Sequence, residues 1–177
     1  QKAGAIFDSV KLDWINNHHL AALSFDDFEK RLMPFLKVVG IDCSQKSNGK
    51  DIITAMRSSQ PTLLGVAKDL VPYFSSLSSY DEKAANKFLR GSESVLEFVQ
   101  RKLNGLETWN EESIDKVLKD AQTSLSLPTP KLNQPIRIAM TGSTQSPSLG
   151  LTLSLFDVAE VNHRINAALE YLANNSS

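Results

Sequence analysis

Between Asn133 and Leu151 the chain reads Asn-Gln-Pro-Ile-Arg-Ile-Ala-Met-Thr-Gly-Ser-Thr-Gln-Ser-Pro-Ser-Leu-Gly-Leu, and here side chains capable of joint chemistry are grouped most densely. Pro135 suits the first turn of a helix and Gly142 its end, so Pro135 to Thr141 is predicted as a helix of about two turns. Arg137 is the one charge in this stretch. After Gly142, Ser143, Thr144, Gln145 and Ser146 supply hydroxyls and an amide, and Pro147 can open a further helix. The expected arrangement is a guanidinium beside short polar groups, with Pro147 and Leu149 as an apolar wall. That set suits a flat, polar, unstacked ligand such as a nucleobase. The same residues equally describe a plain turn between two helices.

A second grouping is Arg57, Ser59, Gln60 and Thr62, around the break Ser58-Ser-Gln-Pro61. At a junction of two helices, side chains and unpaired backbone N–H groups can face a ligand, or merely turn the chain. His18 and His19 are adjacent and so point in different directions on a helix; with no His-x-x-x-His spacing they predict surface positions and no metal site. Cys43, in Ile41-Asp-Cys-Ser, is expected to be an idle thiol. As the single cysteine it can form neither an internal disulfide nor a cysteine-based zinc cluster, which fits a reducing compartment. Nucleophile, base and orienting group occur in no recognisable arrangement, so no catalytic residue is assigned.

Composition narrows the function classes. With 177 residues, 41% hydrophobic and 22% charged, the chain fits one soluble globular domain or two small ones. Its formal net charge of -1 excludes a general polyanion binder. Divided after Tyr80, the chain carries nine basic and eight acidic residues in its first part, and ten and twelve in its second. Any contact with nucleic acid must therefore be local. No apolar run approaches the roughly 18 residues of a membrane span, and the start, Gln1-Lys2-Ala3-Gly4, lacks signal-peptide order. A cytoplasmic monomer is expected, and the missing initiator Met implies part of a longer polypeptide.

Apolar spacing predicts an all-α fold of two small helical subdomains stacked end to end, 1–77 and 78–177, with the Ser-rich break Ser75 to Ser79 between them. Asp8 caps a first helix whose Val10, Leu12, Trp14 and Ile15 are expected to face a core. Ser24 caps a second, to about Val39, with Phe25, Phe28, Leu32, Phe35, Leu36 and Val39 at helical spacing, in phase across Pro34, and Gly40 as its stop. Helices follow over Asp51 to Arg57 and from Leu63 through Val71. Ser79-x-x-Glu82 reads as a capping box for a helix to about Leu89. Later helices carry Val95 to Leu103, an Asn110-capped Ile114 to Ala121, Leu149 to Phe156, and an Asp157-capped run with Val158, Val161, Ile165, Leu169 and Leu172. Pro128-Thr-Pro130 is expected as an extended connector, and Asn174 to Ser177 as a frayed tail.

Two of these stretches carry a resemblance. Gln134-Pro-Ile-Arg-Ile-Ala-Met-Thr-Gly142 followed by Ser146-Pro-Ser-Leu149 resembles the Q-P-L-R-x-A-L-T-G…S-P stretch in the anticodon-binding region of bacterial-type glutamyl-tRNA synthetases. Phe7 to Leu20 is similar to F-D-x-x-K-L-x-W-x-N-x-x-Y-I, which opens the segment after the catalytic half of those enzymes, with His19 where Tyr is usual. Together with the helix order between them, the match covers nearly the whole chain.

The resemblance implies a tRNA-reading module of a class I glutamate–tRNA ligase, whose parent attaches glutamate to its tRNA at the cost of ATP. It implies that Arg137 contacts anticodon bases, with Ser146, Pro147 and Leu149 in the same pocket, and that Arg57, Ser59 and Gln60 lie where such enzymes meet the anticodon. The class signatures H-I-G-H and K-M-S-K-S are absent from the sequence. By resemblance they precede Gln1, so ATP and Mg belong to a catalytic half outside this fragment, which is expected to be inactive alone. Some members carry at the hinge an arginine associated with favouring tRNA for glutamate over tRNA for glutamine. Here Ser59 or Gln60 takes that position, so both tRNAs are expected partners. A helical protein-interaction scaffold is the alternative reading, and a stand-alone hydrolase a third.

Overall fold

Short polar side chains at the turns define where helices begin. In the computed structural model, which describes residues 8–77 and 79–175, the chain forms two compact units, Gln1–Phe74 and Ser75–Ser177. Among the described residues the regular structure is helical, as the apolar spacing predicts. Phe7, Ser78 and the tail residues Ser176 and Ser177, which figure in the expectations above, lie outside the described residues.

The first unit holds α1 (Ser9–Ala22), α2 (Phe25–Val38), α3 (Gly49–Met56) and α4 (Leu63–Phe74), with one 3-10 turn at Cys43–Gln45. Asp8 and Ser24 cap α1 and α2 by accepting the backbone N–H of Lys11 and Asp27. The stripe Phe28, Leu32 and Leu36 is fully buried and runs in phase through Pro34. α2 then stops as the glycine predicts: Gly40 takes φ +76°, and Ile41 and Gly40 donate to the carbonyls of Leu36 and Lys37, satisfying the last turn. α4 packs on α2 and α3, burying Val66, Ala67, Leu70 and Tyr73 against Ile52, Ile53 and Met56.

α1 departs from expectation. Val10, Leu12 and Trp14 are 77%, 49% and 69% exposed. At about 100° per residue, Val10 and Leu12 lie about 160° apart around the helix, so Val10, Leu12, Trp14 and Ile15 form no single stripe. Trp14 stacks instead on His18, ring centroids 5.8 Å apart, and Leu20 is the buried apolar anchor of the helix.

The second unit holds α5 (Glu82–Ala84), which widens into a π-turn at Ala85–Leu89, then α6 (Glu93–Leu103), α7 (Glu111–Ser124), α8 (Thr129–Thr141), α9 (Leu149–Ser154) and α10 (Val158–Asn174). The cap of α5 is Asp81, accepting from Ala84 N at 2.7 Å, rather than Ser79. A carboxylate next to the first turn out-competes a hydroxyl two residues further away. Asn110 and Asp157 cap α7 and α10 as predicted.

α8 begins six residues before the predicted start. Pro128 is its cap residue, so the supposed connector is the helix's own first turn, where Pro130 gives up an N–H that has no intrahelical partner. Pro135 is an interior position that the buried face of Leu132, Ile136 and Ala139 carries through. α9 starts at Leu149 as predicted, capped by Ser148, and ends at Ser154, two residues before the expected Phe156. On α10 the buried face is Val161, Arg164, Ile165, Ala168 and Leu172; Val158 is 38% exposed and Leu169 only half-buried. Asn174 is helical rather than frayed, because Asn175 closes the end through Tyr171 and accepts from Arg90.

α10 packs on α6 and α8, and α7 on α9. This sets the C-terminal end of α8 and the loop after it on a buried floor.

Candidate functional site

The polar loop 142–148 leaves α8 through Gly142, whose φ of +70° favours a residue without Cβ. Thr141, buried, donates its hydroxyl to the carbonyl of Arg137 one turn back, at 2.9 Å. Arg137 reaches across the loop: its Nη1 donates to the Ser146 carbonyl at 2.7 Å, to the Pro147 carbonyl at 2.8 Å and to the Ser146 hydroxyl. Beneath, the Ser146 hydroxyl meets that of Thr152 at 2.9 Å, and Thr152 is fully buried on α9. The loop is thus closed from inside by one guanidinium and two hydroxyls.

Arg137, Ser146 and Pro147 are brought together as the sequence predicts. Leu149 is 4% exposed, so it supports the loop as the first residue of α9 and is not an open wall. The groups left outward are on the loop's crest: Ser143 and Gln145 are exposed and Thr144 half-buried. The Ser143 hydroxyl accepts from Gln145 N, which fixes the crest. Ser148 caps α9 and donates to Glu111 on α7 at 2.8 Å.

The floor contains a residue that sequence reasoning missed. Arg164 of α10 is 3% exposed; it donates to Glu160 at 2.6 Å, to the Met140 carbonyl in the last turn of α8 and to the Ser75 carbonyl at 3.0 Å, with its guanidinium 4.5 Å from the Phe156 ring centroid. Its only signal was a charge at helical spacing inside the apolar stripe Val161, Ile165, Ala168.

In the first unit the hinge residues are mutually close but differently occupied. Arg57 donates to the carbonyls of Leu20 and Leu23 at the end of α1, and lies 5.0 Å over the Phe28 ring. Gln60 donates to Asp69 at 3.0 Å. Ser59 N donates to the Met56 carbonyl, while its hydroxyl is buried with no hydrogen-bond partner among the described residues. Asn16 of α1 donates to the Pro61 carbonyl, holding the hinge to that helix. Thr62 caps α4 through Gly65 N.

His18 and His19 are exposed, and among the described residues no three His, Cys, Asp or Glu side chains converge on a metal position. Cys43 is half-buried; burial first, then the charges of Glu29 and Asp42, push its thiol up to about 11. No described helix is long and apolar enough to cross a membrane.

With this geometry in view, the comparisons with known proteins are specific. The family described as Anticodon binding domain matches residues 27–169. Glutamate–tRNA ligase 2 of Halorhodospira halophila is 29% identical over 174 residues, 98% of this chain and 37% of that protein. The glutamate–tRNA ligase of Myxococcus xanthus is 36% identical over 166 residues, 93% of this chain and 35% of that protein. The chain spans little more than a third of the length of these curated relatives. Among solved structures, a glutamate tRNA ligase from Elizabethkingia meningosepticum, crystallised with its amino acid, is similar at a TM-score of 0.78 and 22% identity, over 97% of this chain and 34% of that one. The glutamate-tRNA synthetase of Elizabethkingia anophelis gives 0.75 and 23%, over 96% and 33%. At those identities the likeness is one of fold.

Proposed function

The chain belongs to the anticodon-binding domain family, and from that premise we propose that it is the part of a glutamate–tRNA ligase that reads the anticodon of tRNA for glutamate. The observation that carries this reading is the loop 142–148, clamped by Arg137 on Ser146 and Pro147 so that small hydrogen-bonding groups crown a rigid turn. Unstacked loop bases are selected by stacking and by hydrogen bonds to their edges. A turn fixed before binding loses little conformational entropy when it makes those bonds. Arg137 is assigned to the anticodon pocket with Ser146 and Pro147, and Leu149 to its floor. At the hinge, Ser59 and Gln60 are assigned to the anticodon, and Arg57 to holding α1 beside them.

Attachment of glutamate, with its need for ATP and Mg, is assigned to the remainder of such a ligase. With a net charge of -1, the fragment alone gains little from counterion release. It is expected to bind tRNA weakly and to form no glutamyl-adenylate.

Filter binding against tRNA fractions, using the chain and its Arg137→Ala variant, tests the reading. The substitution is expected to weaken selection of tRNA for glutamate by about 1 to 3 kcal/mol, with the circular dichroism melt of the variant still cooperative. Equal retention of all fractions by the unaltered chain would sink the proposal. Retention of no fraction would favour the alternative, a protein-interaction scaffold without a nucleic-acid role, for which the exposed Val10, Leu12 and Trp14 of α1 speak.

A further inference from the structure

The second unit has a cavity that the reading above does not use. Its volume is about 320 Å³, and it opens between the π-turn, the start of α6 and the first turns of α8. Three cations line it, Lys87, Arg90 and Lys131, and no carboxylate does. Phe88 and Pro135 add apolar surface. All three cations are exposed and Phe88 is half-buried, with Lys87 Nζ 5.0 Å from the Phe88 ring centroid.

This grouping stands against the chain's overall balance. Ten basic and twelve acidic residues follow Tyr80, so an acid-free lining with three cations is a local excess. The start of α6 adds to it: Ser92 donates its hydroxyl back to the Leu89 carbonyl at 2.6 Å, and no side chain caps the helix. Its first-turn N–H groups therefore add positive potential at the cavity wall. Glu93, in the same turn, lines the neighbouring cleft with Tyr171 instead.

We propose that this cavity is a second RNA subsite, taking a phosphodiester against Lys87, Arg90 and Lys131 with the adjoining nucleobase on Phe88. An aromatic face beside clustered cations is the general means of holding single-stranded nucleic acid without reading its sequence. Lys131 and Arg137 share α8, six residues apart, about 9 Å along its axis and about 120° around it, so a strand that engages both must pass across the helix. The subsite rests on the reading that the chain binds tRNA, and adds affinity where the anticodon loop adds choice.

The test is filter binding of the full 177-residue chain to a transcript of tRNA for glutamate, and to a copy with one anticodon base changed, across a range of salt. In the Lys87→Gln/Lys131→Gln double variant, the slope of log affinity on log salt is expected to become shallower by about one per lysine. Affinity should fall by the same factor for both transcripts, so the preference between them is unchanged. Phe88→Leu should weaken both transcripts with the slope intact, and Lys87→Arg/Lys131→Arg should restore the original slope. If the unaltered chain binds neither transcript, the anticodon reading falls and the subsite with it. If it binds and discriminates while the double Gln variant keeps the original slope, the subsite alone is overturned.

Discussion

Among the described residues four arginines serve backbone carbonyls: Arg57 at the end of α1, Arg90 at the end of α10, Arg137 across the loop, and Arg164 at the end of α8. A guanidinium does this well because its planar fork donates to several acceptors at once and it stays charged at any working pH. Arg164 is the most buried of them, at 3%. Replacing it by Met would leave the Met140 and Ser75 carbonyls and the Glu160 carboxylate without their donor. Arg164→Met is therefore expected to lower stability by about 3 kcal/mol, read from urea unfolding; a loss below about 1 kcal/mol, the scale of one ordinary hydrogen bond, would show that the network is dispensable. Cys43 gives a second check at this scale. With its thiol at about 11, about one molecule in a thousand carries thiolate at pH 8. Iodoacetamide should label the folded chain far more slowly than the urea-unfolded chain, and the rate should climb with pH toward that value. The unfolded thiol ionises first, near 8.5, so stability should fall as pH rises from there to about 11. Equal labelling of both states would refute the shift.

Elements are held by their ends. The α7 to α8 turn closes through Ser126, which at φ +51° is the one non-glycine residue with positive φ among the described residues. Leu127 donates to Gln122 and Ser126 to Thr123 in the pattern that glycine usually permits. Ser126→Gly is expected to stabilise the chain by about 0.5 to 1 kcal/mol, seen as a higher midpoint in thermal unfolding; a lower midpoint would mean that the serine contributes something the backbone geometry omits. The same end chemistry explains what could be read in advance. Caps at Asp8, Ser24, Asn110 and Asp157, the glycine stop at Gly40, and the stripes of α2, α6 and α7 follow from residue type and spacing alone. The start of α8 did not, because Pro130 and Pro135 compete for the first turn, and burial of Leu132 decided between them. α1 misled for a different reason: its apolar residues are numerous but not in phase. At the candidate site the proximity of Arg137 to Ser146 was legible, as a cation shortly before a hydroxyl-rich loop. That its Nη1 faces into the loop, and that Leu149 is beneath it, depended on Thr152 and α9, which no local pattern announces.

At the scale of the whole ligase proposed above, the hinge residues are expected to bear on which tRNAs are accepted. Tight rejection of a near-cognate base needs a donor or acceptor set that is fixed and left unpaired by the wrong partner. At the position where some relatives in the resembled family carry arginine, this chain has Ser59 or Gln60, and neither offers a guanidinium fork. Gln60 has its amide on Asp69, and the Ser59 hydroxyl, which can donate or accept, is buried. Arg57 is the neighbouring cation that could substitute, but it grips the Leu20 and Leu23 carbonyls over the Phe28 ring. Swinging it toward a base would uncover the end of α1, at about 1.5 to 3 kcal/mol for each charged hydrogen bond lost, which is as much as a specific base contact returns. Discrimination is therefore expected to be relaxed: a full-length ligase containing this domain should attach glutamate to purified tRNA for glutamine as well as to tRNA for glutamate. Aminoacylation of each tRNA by that enzyme decides it. Complete exclusion of tRNA for glutamine would show that another device reads the third anticodon base, and the hinge assignment would fall with the prediction.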